Sequence, residues 1–216
     1  MITIVDYNAG NPTSVKRALA SVGVDSVVTP SAAQVRAAER IIFPGVGHAT
    51  STMAVLIERG LDRALADAFA AGTPILGICV GAQLSLGHSE EGDTRCLGLV
   101  PGKVRRFPAL APELKVPHMG WNRVTIKRQH PLLEGVPSDN EFYFVHSYYL
   151  APDDERTVLA TTEHGIEFVS AFATDNYAAV QFHPEKSGPF GIGILERFAR
   201  WVPESRAKAP TEAGRC

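Results

Sequence analysis

The chain has few cysteines, methionines and tryptophans, no marked excess of either charge and no long apolar run. Each shortage removes a class of protein. Three cysteines in 216 residues, with no paired spacing, give neither a disulfide framework nor the ligand pattern of a zinc site. Lys and Arg number 21 against 23 Asp and Glu, a formal net charge of −2, and the two signs are scattered. That leaves no basic stripe for nucleic acid and no acidic tail, so small molecules are the expected ligands. Charged residues interrupt every apolar run before the roughly 20 residues that a bilayer span requires, so no membrane role is expected. No cationic apolar leader opens the sequence, and with the cysteine pattern this points to a cytoplasmic protein. There is no internal repeat and no long linker, and neither a metal nor a cofactor is expected.

What is present is organised around Pro74 to Leu86, PILGICVGAQLSL. A β-capable run ends at Ile78, Cys79 follows between Gly77 and Gly81, and an amphipathic run begins at Val80. This reads as strand, tight turn, helix. Glycines at 77 and 81 let the backbone bend sharply and a substrate come close. A thiol there sits beside a helix N-terminus, where free N–H groups and the helix dipole favour the nucleophilic thiolate.

The first part of the chain alternates strand and helix. MITIVDY is a buried strand, stopped by a turn at 8–10. Asn11 is an N-cap with Pro12 at the first helical position, Val15, Leu19 and Val22 share one helix face, and Gly23 is placed to end it. Val24 to Val28 and Arg40 to Phe43 are further strands around a short helix over Ser31 to Ala38. A helix over about Ser51 to Ala70 is stopped by Gly72, Thr73 and Pro74. Such alternation predicts an α/β fold with a doubly wound, mostly parallel sheet, whose sites form beyond the carboxyl ends of the strands. After Gly92 the apolar runs shorten: Val104 to Phe107, Val124 to Ile126, Phe142 to Val145 and Thr157 to Thr162 predict an additional antiparallel or mixed β section. Ile166 to Ala173 and Tyr177 to Phe182 form a hairpin turning at Asp175 and Asn176. A helix over Gly188 to Trp201 closes one domain of residues 1–202, and the polar, alanine-rich remainder, 203–216, is expected to be a disordered tail.

A cysteine nucleophile needs a base, and the base an orienting group. QFHPEKS supplies both, with His183 to move a proton and Glu185 to fix its tautomer, while Pro184 holds His183 extended. PGVG at 44–47 lacks the lysine and serine of a P-loop. Its better use is an oxyanion hole, with backbone N–H groups of Val46 or Gly47 joined by that of Val80. Taken singly, Cys79 reads as a structural thiol, His183 as a structural histidine and Glu185 as a solvated carboxylate. Their joint occurrence with a glycine loop is what points to catalysis. Trp121 alone reads as a core aromatic and His118 as a surface residue.

GICVGAQ at 77–83, PGVG at 44–47 and QFHPEKS at 181–187 together resemble the class I (triad) glutamine amidotransferases, over the whole chain up to the closing helix. The elbow differs in carrying Val80 and Ala82 where larger residues are common, and Ala179 stands where glycine is common. The resemblance implies a Cys79–His183–Glu185 triad acting on glutamine, with Gly45, Gln83, His146, Ser147 and Tyr148 around the substrate. DYNAGN, SEEG at 89–92, GLVPGKVRRF at 98–107, PHMGWN at 117–122 and FVHSYY at 144–149 are similar to the branch of glutaminase subunits serving imidazole glycerol phosphate synthases. Anthranilate and aminodeoxychorismate synthase glutaminases, or a noncatalytic binding module on the same fold, are the alternatives. The branch implies a heterodimer with a cyclase subunit, a (β/α)₈ barrel of about 250 residues, which His118, Trp121, Asn122 and Lys186 would meet. Cys96 and Cys216 match no functional position.

Overall fold

In the computed structural model, residues 1–216 other than 9, 10, 110, 113 and 205–216 are described. The apolar strands of the first half, β1 (Ile2–Val5), β2 (Ser26–Thr29), β3 (Ile41–Gly45) and β4 (Ile75–Cys79), pair in parallel in the order β2-β1-β3-β4. The linking helices begin as the capping chemistry dictates. Asn11 Oδ1 accepts the Ser14 N–H at 3.0 Å to start α1 (Pro12–Ser21), and Ser31 caps α2 (Ala32–Arg36). The single helix expected over 51–70 is two, α3 (Ala49–Glu58) and α4 (Leu61–Ala70). Gly60, at φ +67°, takes the left-handed conformation that breaks the ladder between them. After β4 comes α5 (Val80–Leu84), only five residues long and buried on every side, so the amphipathic helix expected there is a short internal turn.

The second half runs through β5 (His88–Ser89), β6 (Thr94–Arg95), β7 (Gly102–Arg106), β8 (His118–Arg123), β9 (Thr125–Ile126), β10 (Glu141–His146), β11 (Tyr148–Pro152), β12 (Val158–Glu163), β13 (Glu167–Ala173) and β14 (Tyr177–Val180), and closes with α6 (Gly188–Arg200). The expected hairpin is β13 and β14, antiparallel, with Asn176 in its turn. Asn176 Nδ2 donates to Phe69 O and Thr73 O at the end of α4, and its own carbonyl takes the Ile75 N–H at 2.8 Å. Those three bonds seat β14 beside β4, to which it runs parallel. Beyond β13 the sheet continues through β11 and β7 to β5 and β6, largely antiparallel, with β12 and β9 branching from β13. β8 and β10 form a separate antiparallel ribbon in which His118 pairs with His146 and Trp121 with Tyr143. No strand is expected from sequence for β8, because its partner β10 is distant in the chain and its inward-facing positions are His118, Gly120 and Asn122, of which only His118 is buried.

The core is continuous from Ile2 to Trp201, and its largest fully buried side chains include Tyr7, Phe43, Phe144, Tyr177 and Phe182. Consequently the carboxyl ends of β3, β4 and β14, three neighbouring strands, lie side by side on a rigid base. Among the described residues no helix is long and apolar enough to cross a membrane. The tail expected over 203–216 lies, from 205 onward, outside the described residues.

Candidate active site

Cys79 closes β4 with φ 53° and ψ −110°, a conformation costly for a side-chain-bearing residue and held only because the surroundings impose it. The glycines on either side do not take the bend; they make room for it. A Cβ on Gly81 would lie 1.8 Å from the Phe43 carbonyl oxygen, and one on Gly77 would lie 2.4 Å from Tyr177 Oη. Both glycines thus let α5 pack directly on β3 and β14 while the thiol projects from the turn. The Cys79 side chain is nearly buried, with Sγ 3.9 Å from Val145 O and 3.7 Å from Gln181 Nε2.

Beyond β14, Pro184 leaves His183 extended at φ −99° and ψ 94°, and Glu185 enters a short 3₁₀ turn. That geometry brings Glu185 Oε1 to 2.9 Å from His183 Nδ1, with both side chains 3% exposed. β10 braces the histidine: His183 N–H donates to Tyr143 O, and the Ser187 hydroxyl donates to His183 O while accepting the Tyr143 N–H. Burial lowers the His183 pKa. Hydrogen bonding and charge from Cys79 and Glu185 outweigh burial and lift it to about 9. Nε2, the nitrogen not held by Glu185, is buried without a hydrogen bond of ordinary geometry, so the Cys79 sulfur influences it without being locked to it.

The loop after β3 completes the arrangement. Gly45 stands opposite Cys79 in the parallel ladder. It is buried behind the cleft and does not line it: its absent Cβ makes room for Tyr7 Oη, Gly81 N and Val80 Cβ. Gly47, at φ +112°, turns the chain toward α3. Burial first, and then charge on Cys79, hold the Tyr7 phenol far above its usual range. Val46, Gly47 and Val80 line a cleft of about 240 Å³ together with Cys79, Gln83, His146, Ser147 and Tyr148. Glu91, Pro117 and Val145 also line it, and sequence reasoning assigned none of them. Glu91 Oε2 accepts the Ala49 N–H at 2.7 Å, capping α3 and tying the SEEG segment to the loop. The signal was present in SEEG, which reads from sequence only as a branch signature.

A polar network runs behind the cleft. Gln83 Nε2 donates to Tyr148 O at 3.0 Å and to Gln181 Oε1 at 3.1 Å. The same Tyr148 carbonyl lies 2.8 Å from His146 Nδ1, His146 Nε2 lies 3.0 Å from His118 Nδ1, and Asn122 Nδ2 reaches His118 Nε2 at 3.1 Å. Because a carbonyl only accepts, the protons are fixed in sequence: His146 carries its proton on Nδ1 and His118 carries its own on Nδ1. Burial, then neighbouring His164, lowers His118 to about 4, and burial above all lowers His146 to about 3, so both are neutral at pH 7. The solitary readings of the PHMGWN residues are reversed here. His118 is buried and cannot itself meet a partner, whereas Trp121 is 55% exposed. Asn122 is half-buried, and Lys186 is exposed with Nζ 5.7 Å from the centre of the Tyr143 ring. Cys96 is a buried thiol pushed up to about 11 by burial, with a smaller contribution from Glu91. Cys216 lies outside the described residues.

Known proteins resemble this chain over nearly its whole length. The family described as glutamine amidotransferase class-I matches residues 3–201. The HisH subunit of imidazole glycerol phosphate synthase from Nitratidesulfovibrio vulgaris strain Miyazaki F is 48% identical over 210 residues, 95% of this chain and 99% of that one. HisH from Herpetosiphon aurantiacus is 49% identical over 206 residues, 94% and 93% of the two chains. Among solved structures, a glutamine amidotransferase superposes with a TM-score of 0.71 at 18% identity, covering 92% of this chain and 99% of that one. PurLQS from Thermotoga maritima does so at 0.71 and 16%, covering 92% and 97%. These two likenesses concern the fold.

Proposed function

Because the chain belongs to the class I glutamine amidotransferases, and within them to the HisH subunits of imidazole glycerol phosphate synthase, we propose that Cys79, His183 and Glu185 carry its glutaminase reaction. The chain is the glutaminase subunit of that synthase, in histidine biosynthesis. One observation above all supports the triad. The strained cysteine, the 2.9 Å histidine–glutamate pair and a glycine loop converge from three adjacent strand ends.

The Cys79 thiolate attacks the side-chain amide carbon of glutamine. The carbonyl π pair moves to oxygen, and the oxyanion is received by the Val80 N–H and the loop at Val46 and Gly47. His183, protonated at neutral pH by the partners that lift it to about 9, gives its Nε2 proton to the departing nitrogen. The C–N bond breaks, ammonia leaves, and a γ-glutamyl thioester remains. Acylation removes the charge from sulfur, and with it a main support of the imidazolium. Burial then favours neutral His183, which can take a proton from water as the water attacks the thioester. Glutamate and free Cys79 result. Gln83, His146, Ser147 and Tyr148 shape the cleft around the substrate, with Gly45 behind it, and the Glu91 carboxylate is suited to the α-ammonium group.

We assign the ammonia to a cyclase subunit of (β/α)₈-barrel type, paired one to one with this chain in the cytoplasm and seated against Trp121, Asn122 and Lys186. A glutaminase working alone would waste glutamine, so the Pro44–Gly47 loop is read as misaligned until the partner binds its own substrate. Cys79→Ala should abolish glutamine hydrolysis, yet leave synthesis from added ammonia intact in the complex with the cyclase. Loss of the ammonia-dependent reaction as well would give Cys79 a different role.

A further inference from the structure

The reaction just described leaves Gln181 without a task, although it is fully buried, follows β14 directly and stands two residues from His183. Its Nε2 lies 3.7 Å from Cys79 Sγ, and its Oε1 lies 3.1 Å from Gln83 Nε2. The direction of this amide is decided at the far end of the chain of contacts. Tyr148 O, a backbone carbonyl, only accepts, so Gln83 must turn its NH₂ toward it at 3.0 Å. That NH₂ also faces Gln181, which must answer with oxygen and so turns its own NH₂ to the sulfur. Flipping Gln83 would set oxygen against oxygen at Tyr148, and flipping Gln181 would set donor against donor at Gln83.

We propose that Gln181 is a positioning residue for the nucleophile, donating an amide hydrogen to the Cys79 sulfur when it is a thiolate and holding it toward the cleft. Besides His183, two polar neighbours of Sγ divide the protonation states between them. Val145 O, at 3.9 Å, can interact favourably only with S–H, whereas the Gln181 amide favours the anion. The need for such a donor follows from local structure: α5 has five residues, and Cys79 makes no side-chain cap bond to it. A short helix contributes little field, so a fixed side-chain dipole takes over part of that work. The inference rests on Cys79 being the nucleophile.

The test uses the full chain in complex with its cyclase subunit, comparing wild type, Gln181→Met and Gln181→Glu. Met keeps the length and removes the amide, whereas Glu keeps an oxygen for Gln83 and replaces the donor to sulfur with a second oxygen. Two quantities are read: the rate of Cys79 alkylation by iodoacetamide at pH 7, mapped by peptide mass, and kcat and KM for glutamine. Alkylation should slow about tenfold in Gln181→Met, the worth of a hydrogen bond to a charged group, and further in Gln181→Glu. The value of kcat should fall by a similar factor while KM stays within about twofold. Wild-type alkylation rates in variants that keep the wild-type melting temperature would overturn the proposal, whether or not turnover falls. So would unchanged kcat in both variants. If Gln181→Met fails to fold, Gln181→Glu, planar and of equal size, carries the decision. Full glutaminase activity in a wild-type chain fully alkylated at Cys79 would instead overturn the nucleophile itself.

Discussion

At His183 opposing effects meet on one imidazole, and the balance sets both its charge and its use. Burial alone would make it neutral, as it does at His118 and His146. Cys79 and Glu185 reverse that outcome and lift it to about 9. In ¹⁵N-histidine NMR, His183 should therefore titrate near 9 in the wild type and at lower pH in Cys79→Ala, which loses the foremost of the supporting partners. An unchanged midpoint would mean that sulfur and imidazole do not interact. The stability consequence has a definite sign. A folded pKa raised above the ordinary 6.5 contributes stability that is complete below about 6.5 and is lost as pH rises through about 9. Denaturant unfolding should accordingly show the deficit of Glu185→Gln to be largest near about pH 6 and to shrink toward pH 9. Cys96, buried and held at about 11, should stay unreactive throughout that range.

The decisive element is the turn from β4 into α5, and it tolerates almost no added volume. An Ala at Gly81 must displace either β3 or α5, because its Cβ would sit 1.8 Å from a backbone carbonyl oxygen that cannot rotate away. Gly81→Ala should cost at least about 2 kcal/mol in urea unfolding and remove glutaminase activity; a neutral effect would show that the elbow is looser than its packing indicates. This explains which elements could be read from sequence. Glycines around a cysteine, apolar runs and caps at Asn11 and Ser31 are local signals, and they located β1 to β4, α1, α2, the β13–β14 hairpin and α6. The break at Gly60 was missed because an isolated glycine is tolerated inside a helical period. The shortness of α5 and the existence of β8 were missed because both depend on partners far along the chain, Phe43 in one case and β10 in the other. The same distinction divides the site. HPE is a local signal, whereas the inward turn of His118, the cap that Glu91 places on α3 and the link from Gln83 to Gln181 exist only once distant strands are packed.

On the scale of the whole molecule, the cleft and the outer face of the β8–β10 ribbon are adjacent, so one partner can cover both. Pro117, which lines the cleft, immediately precedes β8, and Val46 both lines the cleft and is exposed. Along β8 the side chains alternate: His118 turns inward to His146, while Met119 and Trp121 stand 64% and 55% exposed. Large apolar side chains at the rim of a catalytic cleft are costly to leave in water unless a partner buries them. Between the rim and the nucleophile runs the path from Asn122 through His118 and His146 to Tyr148 O, and from there through Gln83 and Gln181 to Cys79. Every joint in it has a fixed donor, so a partner seated on β8 touches an ordered polar chain rather than a soft loop. Trp121→Glu places a charge where that partner must dehydrate the surface, and it should weaken association with the cyclase subunit by about tenfold or more in isothermal titration calorimetry. Because Trp121 contributes to the ribbon surface and not to the core, the melting temperature of the free chain should stay within a few degrees of wild type. Unchanged affinity with the fold intact would move the docking face away from β8, and the polar path would then end at a surface that no partner covers.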